Sequence, residues 1–310
     1  MNLQQSARIR TAILRWYRKT KRDLPWRSTT DPYEILVSEI MLQQTQVSRV
    51  KEKLPIFIKR FADFSALASA PKSEVVCAWK GMGYNNRAIR LNDLAKTIQQ
   101  KYSGTLPRSI DEMRSLPGIG EYTSHAVACF AFRQHVPVVD VNIKRVFSRV
   151  FGKMKEPGET LEHKSVWQIA EKVLPNDAYT WNQALMDLGS VICTARNPKC
   201  GECPVSDYCA SRKALLKSQL KKTVVPKKAS NEPMYAGIPR RFWRGKIVEA
   251  LRSLDGKRSV TLPVLGKTVK KDFHKRELPW LHDVVTRLEK DGVIKLRGKN
   301  DKTRVTLSHE

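Results

Sequence analysis

The chain has 310 residues, of which 41% are hydrophobic, and 57 lysines and arginines against 30 aspartates and glutamates give a net charge of +27. Its length accommodates one large and one small domain or two medium ones, and its charge excludes an ordinary enzyme of neutral metabolites. A polyanionic partner is favoured, nucleic acid before an anionic membrane surface. No run approaches the roughly 20 apolar residues that span a bilayer, and the N-terminus lacks the features of a signal peptide. We therefore expect a cytoplasmic, nucleoid-associated protein that binds no membrane.

The N-terminal part of the chain has apolar residues at helical spacing. Residues 8–19 form the first such segment, and a Ser-Thr-Thr-Asp-Pro stretch then interrupts the pattern. Asp31 is predicted to cap a second helix, with Pro32 in its first turn, that extends toward Val50. Glu39 lies inside this helix just before an Ile-Met-Leu run. A glutamate on a helix usually faces solvent, but these neighbours indicate a carboxylate that is at least partly sheltered.

A glycine-rich turn follows a series of further helical segments that continues to about residue 135. No alternating strand pattern occurs there, so we expect an all-α fold. The stretch LPGIG places Gly118 and Gly120 in a tight turn before a helix that starts at Tyr122. Backbone N–H groups of such a turn, together with the positive end of the helix, can bind a phosphate. A plain turn between helices is the alternative, and the high positive charge favours DNA binding by a helix–hairpin–helix.

A second carboxylate lies in apolar surroundings, because Asp140 is flanked by Val138, Val139 and Val141. Buried carboxylates need hydrogen-bond partners or a chemical role. We expect Asp140 to cap a helix that begins near Asn142. Such a cap would also fix the carboxylate where a substrate can meet it.

Four cysteines occur close together with the spacing C-x6-C-x2-C-x5-C, which predicts one metal centre, either an iron–sulfur cluster or a structural zinc. Zinc sites usually pair two C-x2-C units, and the single unit here favours a [4Fe–4S] cluster. Two disulfides are a third alternative, disfavoured because the chain shows no secretory signal. The four ligands would be Cys193, Cys200, Cys203 and Cys209.

The composition changes after the last of these cysteines. Residues 213–236 are lysine-rich and are predicted to form a basic linker. Residues 237–310 combine helical segments with a turn at Asp291 and Gly292 and two short strands, a pattern typical of a winged helix that binds DNA or protein. We predict a domain at 1–212 that carries the cysteine loop at 193–209, the linker, and a winged-helix-like domain at 237–310.

A family resemblance follows from the order of these motifs. VSEIMLQQTQV, GMGYNNRA, LPGIGEYT, VVDVNIKRV and NQALMDLG precede the four cysteines. Together they closely resemble the helix–hairpin–helix DNA glycosylases, and among these the MutY adenine-DNA glycosylases, over roughly residues 8–210. The resemblance implies two all-α subdomains, one with the hairpin and the other with a [4Fe–4S] loop.

The resemblance also implies roles for three residues. Glu39 matches the general acid that protonates the departing adenine, and Asp140 matches the carboxylate that stabilises the cationic sugar. Two carboxylates in different environments can hold these two protonation states at one pH. Tyr122 stands where related lyases carry a nucleophilic lysine. Because tyrosine cannot form a Schiff base, we expect a monofunctional glycosylase.

Removal of a base requires that its nucleotide be flipped out of the duplex. The resemblance therefore also implies contacts with double-stranded DNA that contains a mismatch, bound by a monomer of this chain. The matching residues are Gln44 and Tyr84, which would wedge around the opposing base, Trp26, Arg27 and Gln183, which would line the adenine pocket, and Gly118 and Gly120, which would hold a phosphate.

The chain departs from the family pattern at several places. Asn85 replaces a second tyrosine, Val141 replaces a glycine, and the chain does not show the C-terminal domain, similar to Nudix hydrolases, that helps many MutY proteins read 8-oxoguanine. We expect an enzyme of base excision repair that removes adenine opposite 8-oxoguanine or guanine. The first alternative is a thymine or uracil glycosylase for T:G or U:G mismatches. The second is a DNA-binding protein without catalysis, which the presence of both Glu39 and Asp140 disfavours.

Overall fold

The computed structural model describes residues 3–156, 158–220, 232–254, 259–298 and 302–309. Two compact units make up the chain. The first contains Met1–Ile35, Arg108–Ser115 and Ile119–Lys228, and the second contains Leu36–Pro107, Leu116–Gly118 and Ala229–Glu310. Within the described ranges, none of the helices combines the length and the apolar character needed to cross a membrane.

The α-helices of the described residues are α1 (Leu3–Thr20), α2 (Pro32–Leu42), α3 (Val47–Arg60), α4 (Phe64–Ser69), α5 (Lys72–Ala78), α6 (Asn86–Tyr102), α7 (Ile110–Ser115), α8 (Glu121–Phe130), α9 (Val141–Phe151), α10 (His163–Val173), α11 (Ala178–Asp187), α12 (Arg212–Leu220), α13 (Arg240–Arg252), α14 (Leu262–Val269) and α15 (Leu278–Lys290). The strands are β1 (Met234–Tyr235), β2 (Ile238–Pro239), β3 (Val260–Thr261), β4 (Ile294–Arg297) and β5 (Arg304–Leu307).

The first unit is built around a helical core. The apolar face of α1 buries Ile9, Ile13 and Tyr17 in a cluster that also contains Ile143 of α9 and Trp181 of α11. This face explains why the predicted helix over 8–19 forms, since helical spacing brings these side chains to one side. The described residues from 3 to 220 contain no β-strand, so the all-α expectation for this part of the chain is confirmed.

The second helix starts as predicted but ends earlier. The Asp31 carboxylate accepts the backbone N–H of Tyr33 at 2.7 Å, and α2 begins at Pro32. The extension toward Val50 is wrong, because α2 ends at Leu42 and Gln44 adopts a left-handed conformation with φ of 54°. A left-handed residue cannot continue a right-handed helix, so α3 starts anew at Val47.

In the second unit, α6 packs against α4 and α5. The fully buried side chain of Asn92 on α6 donates to the carbonyls of Leu67 at 2.6 Å and Ala70 at 3.1 Å. These bonds satisfy carbonyls at the end of α4 that have no partner within that helix. The indole of Trp79 is also completely buried, with its edge against the ring of Phe57.

The C-terminal residues of the second unit follow the order α13, β3, α14, α15, β4 and β5. The three strands form an antiparallel sheet in the order β3-β5-β4, in which Leu296 pairs with Val305. This helix–strand–helix–helix–strand–strand order is that of a winged helix, as the sequence predicted. Gly292 supplies the turn between α15 and β4 with φ of 72°, and the joining residues 299–301 lie outside the described ranges.

The predicted linker at 213–236 contains more regular structure than expected. Its first residues belong to α12, because Leu215 is buried in the first unit and anchors the lysine-rich segment as a helix. Its last residues include β1, which pairs with β2. Residues 221–231 lie outside the described ranges. The division of the chain into three domains therefore stays a prediction.

Candidate active site

Asp140 is the N-cap of α9, as predicted. Its Oδ1 accepts the backbone N–H of Asn142 at 2.9 Å and of Ile143 at 2.7 Å, and its Oδ2 accepts the Asn142 side-chain amide at 2.6 Å. Burial raises the pKa of Asp140, although these hydrogen bonds and the charge of Arg145 oppose the shift. The carboxylate therefore keeps a fixed direction and loses its charge at a higher pH than an exposed aspartate does.

Arg145 connects this cap to the start of the cysteine loop. Its guanidinium donates to the side chain of Asn142 at 2.8 Å, to the carbonyl of Gly189 at 2.6 Å and to the carbonyl of Cys193 at 2.7 Å. A Cβ at Gly189 would lie 2.8 Å from the Cβ of Asn142, so only glycine permits this approach. The position of Asp140 thus depends on the loop that carries the cysteines.

The four cysteines of the predicted metal centre line one cavity with apolar neighbours such as Leu188 and Val205. All six cysteines of the chain are free, which leaves no disulfide among them. No three His, Cys, Asp or Glu residues in the described ranges converge closely enough to hold a single ion. Sulfurs that surround a cavity fit a cluster, whose own atoms separate its ligands, better than one Zn²⁺ ion. Burial raises the pKa of Cys203 to about 12, so the metal must supply the charge that keeps the thiolate deprotonated.

Arg149 supports the same loop through hydrogen bonds from its buried side chain. Its side chain is fully buried and donates to the carbonyls of Thr194 at 2.7 Å and Ala195 at 2.8 Å. A third contact reaches the sulfur of Cys193 at 3.4 Å. Nothing in the sequence indicated this role, because an arginine in a strongly basic chain suggests a contact with DNA.

We expect Arg149→Ala to reduce the iron that stays bound after purification. The change leaves two buried carbonyls without hydrogen-bond donors. This loss should lower the stability of the loop by an amount on the order of 3 kcal/mol. Iron and zinc analysis should give about four irons per wild-type chain and fewer in the variant. The control is Arg196→Ala, which removes an exposed arginine of the same loop. This variant should keep the wild-type amount of iron. Stoichiometric zinc in the wild-type protein would contradict the cluster.

The predicted adenine-pocket residues Trp26 and Arg27 form a short helical turn in the first unit. Trp26 is 8% exposed, and two nitrogens of Arg27 bind the carboxylate of Asp187 at 2.7 and 3.0 Å. Burial opposes ionisation of Asp187, but hydrogen bonds from Arg27 and the charges of Arg27 and Arg22 outweigh it and lower its pKa. The buried Nε of Arg27 has no hydrogen-bond partner in the described residues.

Two further predicted site residues lie on helices of the first unit. Gln183 is buried at 3% exposure in α11. Tyr122 is half-buried in the first turn of α8, which begins at Glu121 rather than at Tyr122 as expected. Their predicted contacts with a flipped base stay predictions.

The hairpin turn has the predicted backbone. Gly118 has φ of 83°, which favours glycine, and a Cβ added there would come no closer than 3.9 Å to the Cβ of Arg90. Gly120 is the N-cap of α8, and a Cβ there would meet nothing within 4 Å. The first N–H groups of α8 follow directly, which is the arrangement that binds phosphate.

In the second unit, Glu39 lies in the middle of α2 and is 4% exposed. The prediction of a sheltered carboxylate is confirmed. Its role as the general acid stays a prediction.

The two predicted wedge residues share an unusual conformation. Gln44 and Tyr84 both have positive φ, of 54° and 45°, and both side chains are exposed. The ring of Tyr84 is 53% exposed. Left-handed backbone at a non-glycine residue costs roughly 1–3 kcal/mol and persists where surrounding contacts enforce it.

Arg87 supplies those contacts, and sequence reasoning missed it although it belongs to the motif GMGYNNRA. Its guanidinium is buried and donates to Gln43 at 2.6 Å in one turn and to Met82 at 3.1 Å in the other. The remaining acceptors are the carbonyls of Ile40, Met41 and Gly83 and the hydroxyl of Thr45. Burial lowers its pKa to about 10, so Arg87 stays charged near neutral pH and clamps both turns.

The predicted site residues are divided between the two units. The first contains Asp140, Tyr122, Trp26, Arg27, Gln183, Gly120 and the four cysteines, and the second contains Glu39, Gln44, Tyr84 and Gly118.

Two ranges of the chain match families of known proteins. Residues 37–172 match the family described as HhH-GPD superfamily base excision DNA repair protein, and residues 193–209 match the iron-sulfur binding domain of endonuclease III. The adenine DNA glycosylase of Mycolicibacterium smegmatis is 43% identical over 244 residues, which cover 77% of this chain and 79% of that protein.

Two solved structures resemble the chain. A thermostable thymine-DNA glycosylase is 35% identical with a TM-score of 0.64, covering 68% of this chain and 97% of its own. A non-covalent endonuclease III–DNA complex has a TM-score of 0.61 at 21% identity, covers 72% of this chain and all of its own, and shows a shared fold.

Fold, cysteine loop and matched ranges together define a DNA glycosylase of base excision repair that binds DNA and carries a [4Fe–4S] cluster. Within this class, the chain belongs to the adenine DNA glycosylase family, that of MutY.

Proposed function

We propose that this protein is a monofunctional, monomeric glycosylase that hydrolyses the N-glycosidic bond of adenine opposite 8-oxoguanine or guanine in double-stranded DNA. The fixed carboxylate of Asp140 and the sheltered carboxyl of Glu39 carry the proposal, because the reaction needs one charged and one protonated group. The relatives named adenine DNA glycosylase support the choice of base. We also propose that the protein acts at the nucleoid.

In the proposed reaction, Glu39 donates a proton to the adenine ring as the bond between the base and C1′ breaks. The sugar becomes cationic, and the Asp140 carboxylate stabilises that charge. Water then adds its oxygen to C1′, and its released proton restores Glu39. The [4Fe–4S] cluster, when bound, cross-links the loop at 193–209 and supplies no proton or electron to this step.

The DNA contacts complete the proposal. Gln44 and Tyr84, clamped by Arg87, would enter the duplex around the opposing base, and Nε of Arg27 and the carboxamide of Gln183 would bind adenine beside Trp26. Gly118 and Gly120 would bind a phosphate with the N-terminus of α8.

A panel of duplexes tests this function. Wild-type protein should release base from A:8-oxoG and A:G and not from T:G or U:G. Strand breaks should form only after alkali, because the Tyr122 side chain cannot form a Schiff base. Strand cleavage without alkali, together with a protein–DNA adduct that borohydride traps, would contradict the monofunctional reaction.

A second candidate is release of thymine or uracil from T:G or U:G mismatches, favoured by the 35% identity to a thymine-DNA glycosylase. Asn85 and Val141 depart from the MutY pattern, and the side chain of Val141 is 76% exposed in the first turn of α9. Asn85 accepts a hydrogen bond from Arg252 at 2.7 Å, so its change accompanies a contact within the protein. Release from T:G or U:G alone in the panel would establish this candidate.

A further inference from the structure

A groove of about 550 Å³ runs along the second unit between the turn at residues 83–86 and helix α13 of the winged-helix-like region. Tyr84 and Asn85 form one side, and the first turns of α13 form the other. None of these α13 residues belongs to the motifs that the proposed function uses. We call this feature the α13 groove.

Contacts inside the second unit hold the two sides of the α13 groove in place. The Arg252 guanidinium at the end of α13 donates to the carbonyl of Val76 at 2.8 Å and to the side chain of Asn85 at 2.7 Å. An ion pair of 2.6 Å joins Lys80 to Glu249. Because the Arg252 side chain is only 8% exposed, this attachment is part of the packed structure rather than a surface contact. Contacts within the protein therefore join the two elements that line the groove.

Two aromatic rings lie exposed in the α13 groove. Tyr84 is 53% exposed on one side, and Phe242 is 54% exposed on the other. The guanidinium of Arg241 lies 4.9 Å from the centre of the Phe242 ring. Large aromatic side chains that a fold leaves in water offer stacking platforms, and any unstacked base presents the matching face.

Three arginines, Arg240, Arg241 and Arg244, also line the groove. Each has a carboxylate within ion-pair distance, as Arg241 pairs with Glu232 and Arg244 with Asp291. These side chains are partly exposed, and such pairs contribute at most about 1 kcal/mol in water. A phosphate, which accepts from guanidinium groups more strongly than water does, can therefore compete for them. Aromatic rings interleaved with arginines are the pattern of a groove for single-stranded nucleic acid.

We propose that the α13 groove binds an unstacked nucleotide of the DNA strand opposite the excised adenine. Phe242 stacks on its base, and the arginines of α13 hold its phosphate. This inference rests on the proposed function, which places Tyr84 beside the opposing base. The winged-helix-like region thereby becomes part of the surface that reads the lesion strand.

The test uses the full chain carrying Asp140→Asn, so that substrate duplexes bind while base release is at least about a thousandfold slower. Phe242→Ala in this background should weaken binding to the A:8-oxoG duplex about tenfold, since one base–aromatic stack is lost. Phe242→Tyr keeps a ring and should bind as the parent does. The matched control is Ile56→Ala, which shortens an equally exposed side chain on α3, outside the groove.

The phosphate contact and the choice of strand have separate readouts. Arg241→Gln should reduce the slope of log K against log salt concentration by about 1. A 2-aminopurine placed in the strand opposite the adenine should lose its quenching in Phe242→Ala, and one placed in the adenine strand should not change. A change in fluorescence only for 2-aminopurine in the adenine strand would contradict the strand assignment.

Failure of this inference is distinct from failure of the proposed function. Equal affinities and equal salt slopes of Phe242→Ala, Arg241→Gln and the parent would overturn the groove, whatever the enzyme releases. Absence of base release from both adenine duplexes by wild-type protein would overturn the proposed function, even if the groove variants bind more weakly.

Discussion

Asp140→Asn is expected to lower the rate of base release at least about a thousandfold while binding to the A:8-oxoG duplex stays intact. The substitution removes the negative charge that would face the cationic sugar. It preserves the shape of the cap, because asparagine accepts the same N–H groups of Asn142 and Ile143 at a helix N-terminus. Single-turnover base release and duplex affinity, measured on the same preparation, give the two quantities.

The matched control for this substitution is Asp177→Asn. Asp177 is also an N-cap, of α11, and accepts the N–H of Thr180 at 3.0 Å, but its residue is exposed. The Asp177→Asn variant should release adenine at the wild-type rate. If Asp140→Asn releases base as fast as the control does, Asp140 is only a helix cap and the protein loses its proposed catalytic anion.

The acid side of the pH profile offers a second readout of the same residue. Burial raises the pKa of Asp140, so its charge is lost at a higher pH than that of an ordinary aspartate. The rate of base release that depends on the ionised carboxylate should therefore fall as pH drops through this raised pKa. The residual rate of base release by Asp140→Asn should not fall over the same pH range, because asparagine does not titrate.

Arg87→Lys is expected to lower the free energy of unfolding by about 2–4 kcal/mol and to reduce the preference for mismatched over matched duplex. An ammonium group has three donors and cannot satisfy the six acceptors that the guanidinium reaches in the turns around Gln44 and Tyr84. Chemical denaturation gives the stability. The ratio of the two duplex affinities, measured well below the unfolding midpoint, gives the effect on positioning.

The control is Arg60→Lys, which alters an exposed arginine of the same unit that pairs with Glu74 at 3.0 Å. Such a surface pair contributes about 1 kcal/mol or less, so both readouts should stay close to wild type. A wild-type affinity ratio in Arg87→Lys, alongside a loss of stability, would show that Arg87 supports the fold without positioning the wedge residues.

The features that the sequence predicted correctly depend on residues close together along the chain. Asp140 caps α9 because its acceptors lie two and three residues before the N–H groups they bind. The amphipathic face of α1 and the turn at Gly118 are equally local, since helical spacing and a backbone with positive φ are properties of short segments. The cysteine spacing likewise indicated one cluster, because four thiolates within a short loop share one centre.

What the sequence did not show concerns side chains whose partners are distant. The motif GMGYNNRA was informative as a family signature, yet Arg87 acts on carbonyls more than forty residues earlier. Arg27 is predicted to line the adenine pocket, and nothing local in the sequence indicated that two of its nitrogens also bind Asp187, 160 residues away. In a chain with a charge of +27, arginine by itself does not indicate whether it binds DNA, a carboxylate or a backbone carbonyl.

The sequence by itself therefore determined the helical character, the cluster loop and the cap that fixes Asp140, because each follows from local spacing and local hydrogen bonds. Only the tertiary structure decided how the turns at Gln44 and Tyr84 are held and which residues of the second unit the winged-helix-like region contacts. Asn85 shows the difference, since its departure from the family pattern had no explanation until Arg252, 167 residues later, was found to donate to it. Such pairings are set by packing of the whole unit, and neither periodicity nor composition encodes them.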